Sequence, residues 1–261
     1  MRRIHPTALV DPAAELAEDV EIGPYAIIGP GVRLGQGCWV GAHALLEGWT
    51  EVGSRTRIWP GALIGGEPQD LRYRGARSYV RIGEECRIRE GVTIHRSSRP
   101  EGTTRVGRGV FLMAFSHVAH DCEVGDGATL TNLISLSGHV QVGRGVFLSN
   151  FVGVHQFVRI GEGAMVLGPH GIRKDVLPFV ILDGFPPRVR GLNVEGLRRR
   201  GASAEVRAHL KAAYRIIFRS GLGAAEACRR ICDELPQGEE VRAVVEFLES
   251  SERGIYREEG E

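Results

Sequence analysis

The sequence has no long apolar run. No stretch approaches the ~20 consecutive apolar residues of a membrane-spanning helix, and residues 1–6 lack the apolar core of a signal peptide. The net charge is only +1 over 261 residues, so no overall field attracts the chain to nucleic acid or to a membrane surface. These absences predict a cytoplasmic protein that neither spans a membrane nor binds nucleic acid.

Cysteine and proline are also scarce. The five cysteines are odd in number and lack the spacing of a secreted disulfide framework, which predicts reduced thiols. With 12 prolines and no low-complexity segment, disorder does not explain the 36 glycines, about twice the usual share. Tight corners between short elements explain them better, because glycine adopts dihedrals that other residues resist.

A six-residue repeat of aliphatic side chains organises the first two thirds of the chain. Stepping by six from Ile4 to Ile172 gives 29 positions, of which 26 are Ile, Leu or Val. The exceptions, Asp70, Ala76 and Pro100, fall in two arginine-rich segments that we interpret as inserted loops. A period of six fits neither a helix nor a flat strand. It indicates short strands, each ending in a corner, with the aliphatic side chain pointing inward.

Three strands and three corners close a triangular turn of 18 residues, and stacked turns pair as parallel strands ~4.8 Å apart. The pattern resembles the left-handed β-helix of hexapeptide-repeat proteins; the resemblance, not the spacing, supplies the left hand, an exception to right-handed crossovers. We predict a mainly β fold: a left-handed parallel β-helix of hexapeptide repeats with about ten turns, then a small α-helical C-terminal domain. The β-helix would cover residues 1–190 with insertions near 65–81 and 95–105, and the helical domain 191–261.

Three cysteines and the C-terminal third follow from the same periodicity. Cys38, Cys86 and Cys122 fall four residues after an aliphatic position, where small buried side chains recur.

Ser203 is the predicted N-cap of a helix ending near Arg219, and two further helices follow at 224–235 and 239–250. Basic residues cluster near the start of this third: Arg198, Arg199, Arg200, Arg207, Lys211, Arg215 and Arg219. They form either a solvated helix face or a docking patch for an acidic partner protein.

Residues 18 apart occupy the same place on neighbouring turns, and this brings polar side chains to one edge. One column contains His120, Gly138 and Gln156. The other contains Asp121, His139 and Phe157. His155 lies next to Gln156 in the sequence. Asp121 can orient the outward-facing His120 and support its basicity. No nucleophilic serine or cysteine accompanies the pair, so we predict a general base acting on a bound hydroxyl. The N–H group of Gly138, one turn above, could donate to the oxyanion of an acyl transfer.

Several ordered motifs resemble the UDP-N-acetylglucosamine O-acyltransferase family, over nearly the whole length. They are Gln-Asp-Leu at 69–71 and the segments 87–96, 117–122, 137–140, 154–157 and 193–201. The resemblance implies a homotrimer with active sites between adjacent prisms and no cofactor or metal. It implies transfer of a 3-hydroxyacyl chain from acyl carrier protein to the glucosamine 3-hydroxyl of UDP-N-acetylglucosamine (UDP-GlcNAc), the first acylation of lipid A biosynthesis.

The resemblance also implies residue roles. His120 matches the general base, Asp121 its supporting residue and Gly138 the oxyanion donor. The substrate-binding positions that it implies are Gln69, Asp70, Arg72, His95, His117, His139, His155 and Gln156, and for the nucleotide Asn193, Glu195, Arg199 and Arg200. Gly168 matches the residue that sets acyl length, where glycine leaves room for a longer chain.

Two segments depart from the family pattern. Arg72 stands where lysine is usual, which keeps the charge but changes shape and hydrogen bonding. Residues 184–187, Gly-Phe-Pro-Pro, replace a more typical Gly-Asn segment. Both differences bear on substrate specificity, including whether the acceptor sugar carries a hydroxyl or an amino group at its 3-position.

Three alternatives remain. A related N-acyltransferase of the same pathway carries an extra domain before its repeats, whereas the repeat here begins at Ile4. A zinc enzyme like the γ-carbonic anhydrases would use His117, His120 and His139 as ligands, but would leave the Gln-Asp-Leu and Arg-Arg motifs unexplained. A non-catalytic solenoid would tolerate the loss of His120.

Overall fold

The computed structural model describes residues 2–258, which contain 28 strands and four helices. The strands, in chain order, are β1 (Arg3–Ile4), β2 (Leu9–Val10), β3 (Glu15–Leu16), β4 (Glu21–Ile22), β5 (Ile27–Ile28), β6 (Arg33–Leu34), β7 (Trp39–Val40), β8 (Leu45–Leu46), β9 (Trp49–Val52), β10 (Arg57–Ile58), β11 (Leu63–Gly66), β12 (Tyr79–Ile82), β13 (Arg87–Ile88), β14 (Thr93–His95), β15 (Thr103–Val106), β16 (Phe111–Leu112), β17 (His117–Val118), β18 (Glu123–Val124), β19 (Thr129–Leu130), β20 (Ser135–Leu136), β21 (Gln141–Val142), β22 (Phe147–Leu148), β23 (Val152–Val154), β24 (Arg159–Ile160), β25 (Met165–Val166), β26 (His170–Ile172), β27 (Val180–Asp183) and β28 (Arg188–Leu192). The helices are α1 (Val194–Arg199), α2 (Ala204–Arg219), α3 (Ala224–Glu234) and α4 (Glu239–Glu249).

The strands form three parallel sheets that the chain visits in rotation. Sheet A has the order β1-β4-β7-β10-β13-β16-β19-β22-β25-β27-β28, sheet B runs from β2 to β26, and sheet C from β3 to β24, each in steps of three. Only β28 is antiparallel to its neighbour within residues 2–258. The chain is therefore a coil with three edges, which we call corners A, B and C after the sheet that each follows. The prediction of a mainly β fold built from parallel hexapeptide repeats is confirmed.

The pairing register shows where the two insertions lie. Regular neighbours are 18 residues apart, as in Arg3 with Glu21, whereas Arg57 pairs with Arg87 and Arg87 with Phe111. The chain between β11 and β12 (loop 1) and between β14 and β15 (loop 2) supplies the additional residues. Both loops leave the coil at corner B, so this edge differs from the other two.

The aliphatic repeat forms the core of the coil. Every repeat position from Ile22 to Ile172 that carries Ile, Leu or Val is buried, and each such side chain contributes roughly 1.5–3 kcal/mol when removed from water. Ile4 is 41% exposed because the first coil has no neighbour below it. Cys38, Cys86 and Cys122 are fully buried, as predicted for small packing residues.

The helical part covers the opposite end of the coil. The Ser203 side chain accepts a hydrogen bond from the Val206 N–H, which confirms the predicted N-cap of α2. No helix within residues 2–258 is long and apolar enough to cross a membrane.

Residues 250–258, which we call the C-terminal strap, return to the coil, where Ile255 bridges to Asp175. The division at residue 190 stays a prediction, because β28 crosses it.

Candidate active site

The polar residues that were predicted to stack 18 residues apart lie together at corner B. Asp121, His139 and Phe157 stand at equivalent corner positions of three successive coils, and Asp121 and His139 have φ of 60° and 61°. The ring of His139 stacks on Phe157 at 4.6 Å and meets His120 edge-on at 5.2 Å. The left-handed backbone at these positions turns the side chains toward one another at the edge of the prism.

His120 and Asp121 form a buried, hydrogen-bonded pair. The Nδ1 atom of His120 lies 2.9 Å from Asp121 Oδ2, and the Asp121 side chain is 0% exposed. A carboxylate only accepts hydrogen bonds, so Nδ1 carries a proton, and in the neutral ring the lone pair is on Nε2. The geometry therefore gives His120 a basic nitrogen on the side of the ring away from Asp121.

Loop 2 holds the Asp121 carboxylate. Besides His120, its donors are the Ser97 hydroxyl, the Ser98 N–H and hydroxyl at 3.1 and 2.8 Å, and Arg99 Nε at 3.0 Å. Burial alone would raise the pKa of Asp121, but the hydrogen bonds from Ser97, His120 and Ser98 hold it well below its usual range. Asp121 is therefore ionised at neutral pH and fixed in place.

Ser97, Ser98 and Arg99 belong to the site, although no sequence motif marks them. From the sequence alone, loop 2 is only an arginine-rich insertion. A signal was present in the chain, because an insertion leaving corner B one coil below Asp121 can reach that carboxylate. Nothing in the composition of the loop identified which of its residues do so.

Gly138 lies against the face of the His120 ring. A Cβ atom at this position would fall 2.5 Å from His120 Cε1 and 2.7 Å from Nε2, closer than real Cβ contacts. Any side chain at position 138 would displace the ring, so the packing of His120 requires glycine there.

The Gly138 N–H group is free to bind a ligand oxygen, since it donates to no acceptor within residues 2–258. Its corner position, two residues after the aliphatic one, carries proline in the coils at Pro6, Pro12, Pro24, Pro30 and Pro60. The position therefore needs no ladder hydrogen bond. At the equivalent Arg108, the N–H donates to the Asp126 carboxylate at 2.8 Å, so this geometry can bind an anionic oxygen.

His117 precedes His120 on the same coil, His95 lies one coil below, and both stay neutral. The rings are 4.9 Å apart, and His117 Nδ1 is 2.6 Å from the Thr93 hydroxyl. Burial, with smaller effects of His117, His120 and Arg96, lowers the pKa of His95 to about 4. Burial and then His120 lower the pKa of His117 as well. The buried Nδ1 of His95 has no partner within the described chain.

Loop 1 brings Asp70 and Arg72 to the same corner. Arg72 donates to Asp70 through its N–H at 2.9 Å and through Nε at 3.2 Å. These bonds, with a smaller effect of His120, lower the pKa of Asp70 to about 2. Asp70, Arg72 and His139 line an open cleft of about 440 Å³. Gln69 is exposed on the same loop.

His155 and Gln156 are exposed at corner B, two coils above His120. A second opening of about 680 Å³ is lined by Asp121, His139 and Phe157 at corner B and by Glu123, Gln141 and Arg159 on sheet C. The site thus extends along the edge rather than ending at His120.

The predicted nucleotide residues lie at another corner of the same chain. The Asn193 amide donates to Gly163 O, and Arg200 donates to Arg144 O, both at corner C. Asn193 also accepts from Gly196 N as the N-cap of α1, and Arg200 pairs with Glu162. Glu195 and Arg199 are exposed and pair with each other at 3.1 Å. A single chain does not bring these four residues to His120.

Gly168 stands at corner A, away from His120. A Cβ atom there would fall 1.9 Å from Asn150 O, so the close approach of two backbone segments requires glycine. Glycine at this position therefore has a structural reason of its own.

A metal ion finds few free ligand atoms here. Within residues 2–258, His120, Asp121 and His139 offer three donor atoms within 4.8 Å of one another; His117 is not among them. Five donors already surround the two oxygens of Asp121, which provide about four lone-pair sites. The arrangement favours a hydrogen-bonded carboxylate over the zinc alternative.

Known proteins resemble the chain over nearly its whole length. A family model described as "Udp N-acetylglucosamine O-acyltransferase; Domain 2" matches residues 175–256, and one described as "Bacterial transferase hexapeptide (six repeats)" matches residues 31–66. The acyl-(acyl-carrier-protein)–UDP-N-acetylglucosamine O-acyltransferase of Aquifex aeolicus is 54% identical over 256 residues, 98% of each chain. That of Syntrophobacter fumaroxidans is 46% identical, over 98% of this chain and all of that one. A UDP-N-acetylglucosamine O-acyltransferase structure from Moraxella catarrhalis superimposes with a TM-score of 0.94 at 39% identity, covering 97% of this chain and 99% of that chain.

Proposed function

Because the chain belongs to the family of acyl-(acyl-carrier-protein)–UDP-N-acetylglucosamine O-acyltransferases, we propose that His120 is the general base of its acyl transfer. The reaction moves an acyl chain from acyl carrier protein to UDP-GlcNAc, in lipid A biosynthesis. The observation that carries the proposal is the His120–Asp121 pair with the free Gly138 N–H beside its ring.

The mechanism follows from these three groups. The Nε2 atom of His120 takes the proton of the glucosamine 3-hydroxyl as its oxygen attacks the thioester carbonyl of the acyl carrier protein. The Gly138 N–H donates to the oxyanion of the tetrahedral intermediate. When the intermediate collapses, the C–S bond breaks and the imidazolium returns its proton to the carrier thiolate. Asp121 stabilises the imidazolium between the two proton transfers.

The acceptor atom and the acyl chain are the points to test first. UDP-GlcNAc and its 3-amino analogue are each incubated with acyl carrier protein thioesters that differ in length and 3-hydroxylation, and the products are analysed by mass spectrometry. We expect the 3-O-ester with a 3-hydroxyacyl chain. Acylation of the 3-amino analogue alone would favour the N-acyltransferase alternative.

Two corners of the prism supply two halves of the substrate site. His120 lies at corner B, whereas Asn193, Glu195, Arg199 and Arg200 lie at corner C. We propose that an active site forms where corner B of one subunit faces corner C of another, in a homotrimer of left-handed prisms. The proposal also includes a cytoplasmic location without nucleic-acid partners, and docking of the acidic carrier protein on the basic helical face.

The remaining residues are proposed to bind substrate along corner B. Asp70, Gln69 and Arg72 come from loop 1, and His139 lines the same cleft. His95 and His117 lie next to each other on β14 and β17. His155 and Gln156 would contact the sugar nucleotide farther along the edge. Gly168 would limit acyl length, and no cofactor or resident metal takes part.

Mixed trimers should recover activity from two inactive parents. We expect His120→Ala and the double variant Glu195→Ala/Arg199→Ala each to have little activity at low UDP-GlcNAc. Subunits of the two kinds, unfolded together and refolded, should give roughly a quarter of wild-type activity, because random pairing unites both intact halves in that share of sites. Activity no higher than the average of the parents would place both halves on one subunit.

The Gly138→Ala variant should lose activity through the position of His120. The new Cβ would fall 2.5 Å from the ring, which breaks the hydrogen bond to Asp121 and turns the base away from the acceptor. We expect kcat to fall about 10²–10⁴-fold, the range for loss of a general base, because alanine keeps the backbone N–H but displaces His120. Gly223→Ala is the control, because a Cβ there meets no atom within 4 Å. Normal activity of Gly138→Ala would contradict the proposed site.

A further inference from the structure

The C-terminal strap is fixed on the coil above His155. The Ser251 hydroxyl donates to Asp175 Oδ2 at 2.9 Å, and the Asp175 N–H donates to Gly254 O at 2.9 Å. The Tyr256 hydroxyl accepts from Arg173 N at 2.9 Å, and Ile255 between these contacts is buried. The strap therefore has a defined position beside corner B.

This anchoring brings Arg253 to the opening of about 680 Å³ beside corner B. Its Nε atom donates to Arg173 O at 3.1 Å, and Nη2 lies 3.3 Å from His155 Nδ1. Arg253 lines the opening of about 680 Å³ that also contains Asp121 and His139. A guanidinium has five N–H donors, and these contacts use two. Glu123, Asp175 and Glu252 also line the opening, but within residues 2–258 none of them forms an ion pair with Arg253, so its remaining donors can bind a ligand.

The position matches the anionic part of the substrate. His155 precedes Gln156, which stands two coils above His120 in one column, or about 10 Å along the edge. In UDP-GlcNAc the diphosphate is attached at C1 and the acceptor hydroxyl at C3, so the sugar ring separates them. Arg253 lies along the edge from His120. When the 3-hydroxyl of UDP-GlcNAc reaches His120, the diphosphate at C1 therefore lies on the side of Arg253.

We propose that Arg253 binds the diphosphate of the sugar nucleotide and positions the glucosamine against His120. The assignment rests on the proposed function and deepens it. Arginine suits this role, because its planar fork binds two phosphoryl oxygens and stays charged at all working pH values. Arg253 supplies this charge from the same corner as the base, whereas Arg199 and Arg200 lie at corner C.

Arg253→Gln should raise KM for UDP-GlcNAc about 10- to 100-fold, as expected for a lost charge-assisted hydrogen bond, with a small change in kcat. KM for the acyl carrier protein thioester should not change, and Arg253→Lys should recover part of the loss. Calorimetry with UDP and with uridine gives a readout independent of turnover. The affinity for UDP should fall in Arg253→Gln, and that for uridine should not.

Arg257→Gln is the matched control. Arg257 lies in the same strap, but its guanidinium donates to Ile217 O on α2 instead of facing that opening. If Arg253→Gln lowers Tm as Arg257→Gln does and leaves KM and UDP affinity unchanged, Arg253 only anchors the strap and the proposal fails. If the wild-type protein neither binds UDP nor acylates UDP-GlcNAc, the proposed function fails with it.

Discussion

His120→Ala should abolish turnover while the protein keeps its fold and oligomeric state. We expect kcat to fall on the order of 10⁴-fold, the upper range for removal of a general base. The remaining activity would come from substrate positioning and the Gly138 N–H. The measurement is the initial rate with UDP-GlcNAc and a 3-hydroxyacyl thioester of acyl carrier protein, alongside size-exclusion chromatography with light scattering.

The loss should be confined to chemistry. His120 is one of five donors to Asp121, so the carboxylate stays paired with loop 2 when the imidazole is removed. His5→Ala is the control, since His5 contacts Thr7 at the far end of the coil. Full activity of His120→Ala would refute the base assignment and favour the non-catalytic solenoid. Tightly bound zinc whose removal abolishes wild-type activity would favour the metalloenzyme.

Asp121→Asn should damage both catalysis and stability. The amide nitrogen cannot accept the hydrogen bonds that the carboxylate accepts from Ser97, Ser98 and Arg99. It also leaves the His120 tautomer unspecified, so we expect kcat to fall about 10²–10⁴-fold. Loss of one partner from a buried charge network should cost on the order of 3 kcal/mol in the free energy of unfolding. Kinetics and urea titration measure the two effects.

The stability effect should depend on pH in one direction. The folded pKa of Asp121 lies below its usual value, so the carboxylate stabilises the fold above the unfolded pKa of about 4. This stability is lost as the pH falls through the lower folded pKa. The difference between wild type and Asp121→Asn should therefore be constant near neutral pH and shrink in strong acid.

Asp19→Asn provides the comparison for that experiment. Asp19 also accepts a backbone N–H, from Gly37 at 2.9 Å, but lies in the first coil, far from the coil that carries His120. We expect near-normal activity and a small loss of stability. An Asp121→Asn variant that behaves like Asp19→Asn would show that the His120–Asp121 pair does not support catalysis.

The repeat could be predicted from sequence because each core residue carries its own signal. Ile22, Leu130 and Ile172 are separate observations of one period, and each is buried as expected. The six-residue spacing that starts at Ile4 continues in phase after both insertions. The coils that carry loops 1 and 2 pair with residues 30 and 24 positions farther along the chain. Both lengths are multiples of six, so the phase was preserved.

The contacts of the loops and the strap could not be predicted in the same way. Ser97 and Arg253 lie in segments without periodicity, so their positions depend on how each segment folds back onto the coil. The columns at corner B followed from stacking alone and brought His120, Asp121 and His139 together. The structural role of Asn193 as the N-cap of α1 depends on where that short helix begins, which the sequence pattern did not specify.

The 18-residue register also bears on how the chain folds. Sheet proteins usually fold slowly, because their strands pair across long separations. Here a separation of 18 in a chain of 261 residues gives a relative contact order of about 0.07, in the range of helical bundles. Each new coil needs only the preceding coil as its template. The chain can therefore fold progressively during synthesis, coil by coil, and corner B becomes complete only after the strap has been made.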